Sequence, residues 1–229
     1  MDGIKKHFED EAKEFDEIIP KLIPYYTDMI FALVGAIPFD ENASFKLIDL
    51  GCGTGNISLE IKKRFPQAKI TCVDIAENML EKAKVKLKHF NDVEFFVGEF
   101  TNFNIDKKFD IAASSLAIHH LTDEDKYHFF QKIFESLLGE GVFIIADVIL
   151  GSNDFLTNLY ISKWKDFMKK SIPEIEIENK WMKKYKKEDI PSKLTDQLNW
   201  LKKIGFKDID IIWKYYNFAV FSGNKMKEK

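Results

Sequence analysis

The stretch FKLIDLGCGTGNISLEIKKRF, residues 45–65, passes from an apolar run through three glycines in five positions into an amphipathic segment. Leu47, Ile48 and Leu50 read as a strand, while Ile57, Ile61 and Phe65 recur at helical spacing. A glycine loop between a first strand and a first helix lies at the carboxyl edge of a sheet, where open α/β sheets bind ligands. Glycine lets backbone N–H groups come close to a ligand, and the following helix turns its positive end to the same place. Gly-x-Gly turns also serve purely structural ends, so the loop alone decides little.

Its spacing says more. A dinucleotide fingerprint is Gly-x-Gly-x-x-Gly, whose third glycine lets the helix pack close to the pyrophosphate. Counted from Gly51 that place is held by Asn56, and the third glycine is Gly55. The pattern Asp49, Gly51, Gly53, Gly55 therefore disfavours nicotinamide dinucleotides. Asp74 ends the next apolar run in CVDIAENML (72–80). A carboxylate there can accept both hydroxyls of a ribose, so a nucleoside without a pyrophosphate fits; it can also simply cap the next helix.

The alternation continues outward. AKITCVD (68–74), VEFFVG (93–98), FDIAASSLA (109–117) and GVFIIADVIL (141–150) read as strands. ENMLEKAKVKLKHF (77–90) and DEDKYHFFQKIFESLL (123–138) read as helices. Continuously apolar strands separated by amphipathic helices predict a parallel sheet covered on both faces. The segment to about residue 40 reads as helices divided by Pro20 and Pro24, with aromatics at Phe8, Phe15, Tyr25, Tyr26 and Phe31. After Gly151 some fifty residues, with Trp164, Trp181 and Trp200, read as inserted helices. FKDIDIIWKYYNFAVFSG (206–223) gives two strands around a turn at Tyr216 and Asn217, an antiparallel hairpin that closes the sheet. A single domain is expected, with a helical lid segment (1–40), a ligand-binding core (41–150), a helical insert (151–205) and a closing hairpin (206–229).

With 229 residues, 45% apolar and 31% charged, the chain has the composition of a globular domain able to bury a full core. MDGIKKHFEDEAKEFD (1–16) carries no signal-peptide core and no apolar run reaches bilayer-spanning length, so a cytoplasmic protein without a membrane partner is expected. Cys52 and Cys72 have no partner at metal-ligand spacing and read as reduced, buried residues. Net charge is −3, and Arg64 is the only arginine among 34 basic residues. Nucleic acid is then a poor main partner. A small-molecule substrate fits better, with a homodimer allowed for.

Over roughly residues 40–150 the sequence resembles the class I S-adenosylmethionine-dependent methyltransferases. LIDLGCGTG (47–55) matches their first motif and CVDIAENMLEKAK (72–84) their second. VEFFVGEF (93–100) looks like the third, with Glu99 where aspartate is usual. FDIAASSLAIHHL (109–121) is similar to the fourth and LLGEGVFIIAD (137–147) to the fifth. The resemblance implies a Rossmann-like α/β fold: a seven-stranded sheet, mostly parallel with an antiparallel last strand, helices on both faces and a helical lid. It implies S-adenosyl-L-methionine as cofactor, with Gly51, Cys52, Gly53 and Gly55 under the methionine part. Asp49 would orient the amino group and Asp74 would hold the ribose. Ile75 and Met79 would pack near the adenine, Glu99 and Phe100 would face its edge, and Ser114 and Ser115 would lie near the methionine.

IPYYTDMI (23–30) further resembles an Ile-Pro-Gly-Tyr stretch of the carboxy-S-adenosylmethionine synthase branch, which implies that Tyr26 reaches the methionine end. That branch holds an extra carboxylate with an arginine shortly before a Gly-Phe pair. NWLKKIGF (199–206) has Trp200 or its neighbours there and no arginine.

Methyl transfer is an in-line displacement at a sulfonium carbon, to which a protein contributes chiefly alignment and exclusion of water. An oxygen acceptor usually needs its proton taken. LAIHHLTDED (116–125) offers His119 and His120 at the ligand edge, and histidine titrates near neutral pH. His120 is slightly favoured as the base, and Asp147 could orient a histidine. Small-molecule O-methyltransferases of similar sequence carry such a pair and such an aspartate. The pair can instead pack against or cap the next helix. Two adjacent histidines do not readily ligate one ion, so no metal is expected.

Tyr160, Trp164, Phe167, Met168, Trp181, Met182 and Tyr185, with the N-terminal aromatics, would form a lid over a small, partly apolar or aromatic substrate. Such spacing also suits ordinary core. The reading is methyl transfer to an oxygen or nitrogen atom of a small molecule. Its rivals are a carboxy-S-adenosylmethionine-type enzyme, a tRNA-modifying enzyme, and a non-catalytic S-adenosylmethionine-binding protein.

Overall fold

The computed structural model describes residues 14–102 and 108–227; Phe8 lies outside them. Helices α1 (Phe15–Leu22) and α2 (Tyr26–Gly35) come first. Strand β1 (Lys46–Leu50) and helix α3 (Asn56–Arg64) flank the glycine loop, followed by β2 (Lys69–Asp74), α4 (Glu77–Leu87) and β3 (Val93–Val97). Strand β4 (Phe109–Ser115) leads through a 3₁₀ turn (Ile118–His120) to α5 (Asp123–Ser136) and β5 (Leu137–Val148). The insert holds α6 (Asp154–Met168), a π-helical stretch (Ile177–Met182) that runs into α7 (Lys183–Glu188), and α8 (Leu194–Ile204). Strands β6 (Lys207–Tyr215) and β7 (Phe218–Asn224) end the fold.

The seven strands form one sheet in the order β3-β2-β1-β4-β5-β7-β6. The first five run parallel to one another, and β7 runs antiparallel between β5 and β6. The mostly parallel sheet and its closing hairpin are as the sequence predicts. Leu47 packs into the layer under α2 and α3, whereas Ile48 packs into the layer under α5 and α8. Both faces are covered, so β1 has no polar alternation to show. Each such side chain contributes about 1.5–3 kcal/mol by leaving water.

Local chemistry sets the helix starts around the site. Thr122 Oγ1 accepts the Asp125 N–H at 3.2 Å, and Asp123, Glu124 and Asp125 place negative charge at the start of α5. Asn153 Oδ1 caps α6 by accepting from the Leu156 N–H at 2.9 Å.

Two local expectations change. Pro24 divides the two helices as expected, in the break from Ile23 to Tyr25, where Tyr25 has φ of 53°, but Pro20 lies inside α1. At that position a proline forgoes only one bond of a short helix, while burial of Ile19 holds the helix down. Helix α5 stops at Ser136, because Leu137 already pairs with Phe109 in the sheet. Among the described residues no single helix is long and apolar enough to cross a membrane.

Candidate functional site

The glycine loop is tied to the end of β2. Gly51 and Cys52 N–H groups both donate to the Val73 carbonyl, at 2.8 and 3.1 Å. Gly51 has φ of +71°, and a methyl group there would stand 2.3 Å from the Ala117 side chain. Only glycine lets the loop lie this close to the chain leaving β4. Asp74 joins three pieces of backbone: one oxygen accepts the Gly53 N–H at 2.7 Å and the other the Ala76 N–H at 2.9 Å.

A cavity opens above the loop. Of the residues picked out in sequence, Tyr26, Gly51, Cys52, Gly53, Asp74, Ile75, Met79, Glu99, Phe100, Ser115 and His120 form its wall. Asp49, Gly55 and Ser114 do not. Gly55 packs against Ala83 of α4, and Ser114 Oγ donates to the Leu50 carbonyl at 2.8 Å. Asp49 is fully buried; its Oδ2 accepts from Ser58 Oγ at 2.6 Å and its Oδ1 has no protein partner. Burial lifts its carboxyl to about 7, against the Ser58 hydrogen bond and with help from the charge on Asp74.

The wall also contains Thr54, Asn56 and Leu116, which the sequence did not single out for the site, and Phe15, one of the N-terminal aromatics expected in the lid. Thr54 and Asn56 sit inside the motif and could have been taken from it. Asp16, next to Phe15, fastens α1 to the loop by accepting from Thr54 Oγ1 at 2.6 Å, Asn56 Nδ2 at 3.0 Å and Lys86 Nζ at 2.9 Å. Asn56 Nδ2 also donates to the Tyr26 hydroxyl at 3.1 Å, and burial raises that phenol to about 12.

These features suit S-adenosylmethionine. A Cβ on Gly53 would meet nothing within 4 Å, so backbone there faces open space. Ile75, Met79 and Phe100 give an apolar slot, Asp74 and Glu99 give carboxylates, and Asp49 Oδ1 is a buried acceptor in need of a donor.

A second cavity shares Phe15, Leu116 and His120 with the first. Helix α1 covers it with Ile18, Ile19 and Leu22, and the insert adds Trp164, Trp181, Lys184, Tyr185 and Asp189. Met168 and Met182 are buried core residues, Phe167 packs beside them, and Tyr160 lies edge-on to Tyr216 at 5.9 Å. Leu116, on the wall between the cavities, is held at φ of 54°, a strained conformation of the kind that clusters at functional sites.

His119 lines this second cavity and is nearly buried, with 6% of its surface exposed. Its Nδ1 lies 2.5 Å from Asp147 Oδ1, and its Nε2 is 3.8 Å from Asp189 Oδ1. Burial alone would push its pKa down. The Asp147 and Asp189 carboxylates outweigh burial and the opposing charge of Lys126, so the imidazole is held above its usual 6.5. His120 does not engage Asp147: its Nδ1 faces the Glu188 carbonyl at 3.1 Å and Asp189 Oδ1 at 3.5 Å. The two rings lie 4.1 Å apart, centre to centre. His119, His120 and Asp189 bring donor atoms within 4.8 Å of one another. Nδ1 of both rings already faces protein oxygens, an arrangement suited to handling protons. Burial raises the Asp189 carboxyl, opposed by His119 and Lys184.

Comparison with known proteins agrees with this geometry. A family profile described as "Methyltransferase domain" matches residues 47–141. The carboxy-S-adenosyl-L-methionine synthase of Campylobacter hominis is 30% identical over 227 residues, covering 97% of this chain and 96% of that protein. The synthase of the same name from Nautilia profundicola is 27% identical over 223 residues, covering 95% of this chain and 94% of its own. Among solved structures, a DhpI–SAH complex superposes with a TM-score of 0.67 at 13% identity, covering 97% of this chain and 95% of that one. Human N-acetylserotonin methyltransferase in complex with SAM gives 0.63 at 18% identity, covering 97% of this chain and 57% of that one.

Proposed function

The chain belongs to the class I S-adenosylmethionine-dependent methyltransferase family, and on that premise we propose that it methylates an oxygen atom of a small, partly aromatic acceptor with His119 as general base. One observation carries the reading. His119 is backed by Asp147 on one ring edge and lines, with the rest of its ring, a cavity that abuts the cofactor cavity.

Bound over the glycine loop, S-adenosylmethionine supplies an electrophilic methyl group. The chain does the remainder. Asp74 and Glu99 stand where ribose and adenine donors would be held, and Asp49 Oδ1 is placed to take a hydrogen bond from a charged amino group. Phe15 and Leu116 flank the passage between the cavities, where they exclude water and align the acceptor. Asp147 keeps the proton of neutral His119 on Nδ1, which leaves the Nε2 lone pair for the acceptor hydroxyl. As the oxygen would take the methyl carbon, whose bond to sulfur would break and leave a neutral thioether, its proton would pass to Nε2. The resulting imidazolium lies between two carboxylates.

The names of the relatives favour a second reading, formation of a carboxylated cofactor. Against it, Trp200 packs edge-on to Phe130 with ring centres 6.4 Å apart, under α5. Arg64 lies on α3, its Nε 4.0 Å from Glu41. Neither residue belongs to either cavity wall. Mass spectrometry of a cell extract incubated with the enzyme and methyl-labelled S-adenosylmethionine tests the choice. Label in a new small molecule supports the proposal. A cofactor with an added carboxylate, and no labelled acceptor, overturns it.

A further inference from the structure

Asp189 reaches His119 from outside the sheet, on the short segment between α7 and α8. Four attachments hold that segment to the carboxyl edge. The Ile190 N–H donates to the His119 carbonyl at 2.7 Å. The Leu150 N–H donates to the Ser192 carbonyl at 2.9 Å. Ser192 Oγ donates to Asp123 Oδ1 at 2.5 Å. The fourth is Lys126 of α5, only 1% exposed, whose Nζ donates to Leu121 O at 2.7 Å and Ile190 O at 2.5 Å. Asp123 Oδ1 stands 3.6 Å from the same nitrogen.

A buried ammonium is costly unless its hydrogens are all used. Here they gather carbonyls from two places: the residue after the 3₁₀ turn that carries His119, and the residue after Asp189. A methionine would fill the same space and leave both carbonyls unsatisfied.

We propose that Lys126 is a positioning residue for methyl transfer, pinning Ile190 to the histidine turn so that Asp189 stays against His119. The inference rests on the reading of His119 as the base. It assigns a task to a buried lysine that touches neither cavity.

The sign of a titration separates positioning from simple charge. His119 is faced by Asp147 of β5, Asp189 of the insert, His120 of its own turn and Lys126 of α5; Lys184 and Glu188 face Asp189. Removal of a positive charge alone would raise the His119 midpoint. Release of Asp189 would lower it, and a carboxylate at such range shifts a pKa by about 1–3.

The test is the His119 midpoint, read by NMR of histidine-labelled protein. Lys126→Met should move it to lower pH by about one unit. Asp189→Asn should move it the same way, and the double variant no further. An unchanged midpoint, an upward move, or two single effects that simply add would overturn the proposal. If Lys126→Met does not fold, Ser192→Ala loosens the same segment from its far end. A lower midpoint there supports the pin, and an unchanged one rejects it. The acid limb of turnover should follow the NMR midpoint. If the midpoint falls and the limb stays, Lys126 still positions Asp189, and the assignment of His119 as base is what fails.

Discussion

Asp147 holds His119 by two different atoms: Oδ1 lies 2.5 Å from Nδ1 of the ring, and Oδ2 accepts the residue's own backbone N–H at 2.9 Å. One carboxylate at the end of β5 thus fixes both the ring and the turn that carries it. His120, one residue on, points its Nδ1 at the insert instead. The base assignment follows from this difference.

Loss of the ring should therefore be specific to one histidine. His119→Ala should lower single-turnover methylation by about 10²–10⁴-fold, with cofactor affinity barely changed. His120→Ala should cost less. Equal rates for wild type and His119→Ala, once an acceptor is in hand, would make the pair structural.

The pH dependence has a definite direction. On the proposed reading neutral His119 is the active form; its carboxylate neighbours hold its pKa above 6.5, so turnover should rise with pH through a midpoint above that value. In Asp147→Asn the main stabiliser of the imidazolium is gone, and the acid limb should move to lower pH. The pair's contribution to stability has the same sign: fully present below the unfolded-state value near 6.5, lost as pH rises through the higher folded-state value. A pH–rate profile with its limb below 6.5 in wild type would contradict both statements.

Among the residues assigned to the cofactor, Asp74 should matter most. Asp74→Ala removes hydrogen bonds to a charged acceptor, worth about 1.5–3 kcal/mol each, so S-adenosylmethionine should bind about tenfold to a hundredfold more weakly. NAD should bind wild type at least about a hundredfold more weakly than S-adenosylmethionine, since Asn56 stands where a dinucleotide loop needs glycine. Calorimetric titration reads both. An unaltered dissociation constant in Asp74→Ala would reduce the residue to a brace for Gly53 and Ala76.

If Asp49 meets the cofactor's amino group, cofactor binding is a proton-coupled event. Its carboxyl, at about 7, is largely protonated at pH 6. A cationic amino group arriving at Oδ1 would favour the charged form. Binding at pH 6 should then release up to about one proton, seen as a dependence of the calorimetric heat on buffer ionisation. Asp49→Asn should abolish that dependence. Identical behaviour of variant and wild type would place Asp49 out of the cofactor's reach.

The lid has its own fastening. Asp16→Ala removes three contacts to Thr54, Asn56 and Lys86. The side chain is half-exposed, so about tenfold faster cofactor release is expected, equivalent to one or two ordinary hydrogen bonds. Burial tends to raise the Asp16 carboxyl, but Thr54, Lys86 and Asn56 together hold it below the usual range. The fastening should therefore persist at neutral pH and weaken as pH falls through that lowered value. Stopped-flow displacement of bound S-adenosylmethionine is the measurement, and an unchanged release rate counts against the lid.

Much of this protein is written locally. The glycine spacing from Asp49 to Gly55, the continuous apolar runs of β1, β2, β4 and β5, and the turn at Tyr216 and Asn217 depend on neighbours a few residues away. Backbone sterics and one-residue periodicities suffice to read them. Cofactor class and a mostly parallel sheet closed by a hairpin follow from such signals; the strand order comes from the tertiary structure. Residues Gly55 and Ser114 show the limit: the motifs include them, yet Gly55 packs against Ala83 and Ser114 bonds the Leu50 carbonyl, because a motif marks a stretch of chain and not which side of it faces the ligand.

The tertiary structure alone decided which histidine meets Asp147. The two are adjacent on a tight turn, their side chains leave in different directions, and the partner carboxylate lies 28 residues from His119. It alone brought Asp189 from beyond α7 and the buried Lys126 from α5 to one edge of the sheet. Neither carries a periodic or motif signal, since their meeting depends on how separately formed elements pack. Local sequence fixes the elements and their chemistry; long-range burial and the pairing of buried charges choose which of those groups touch.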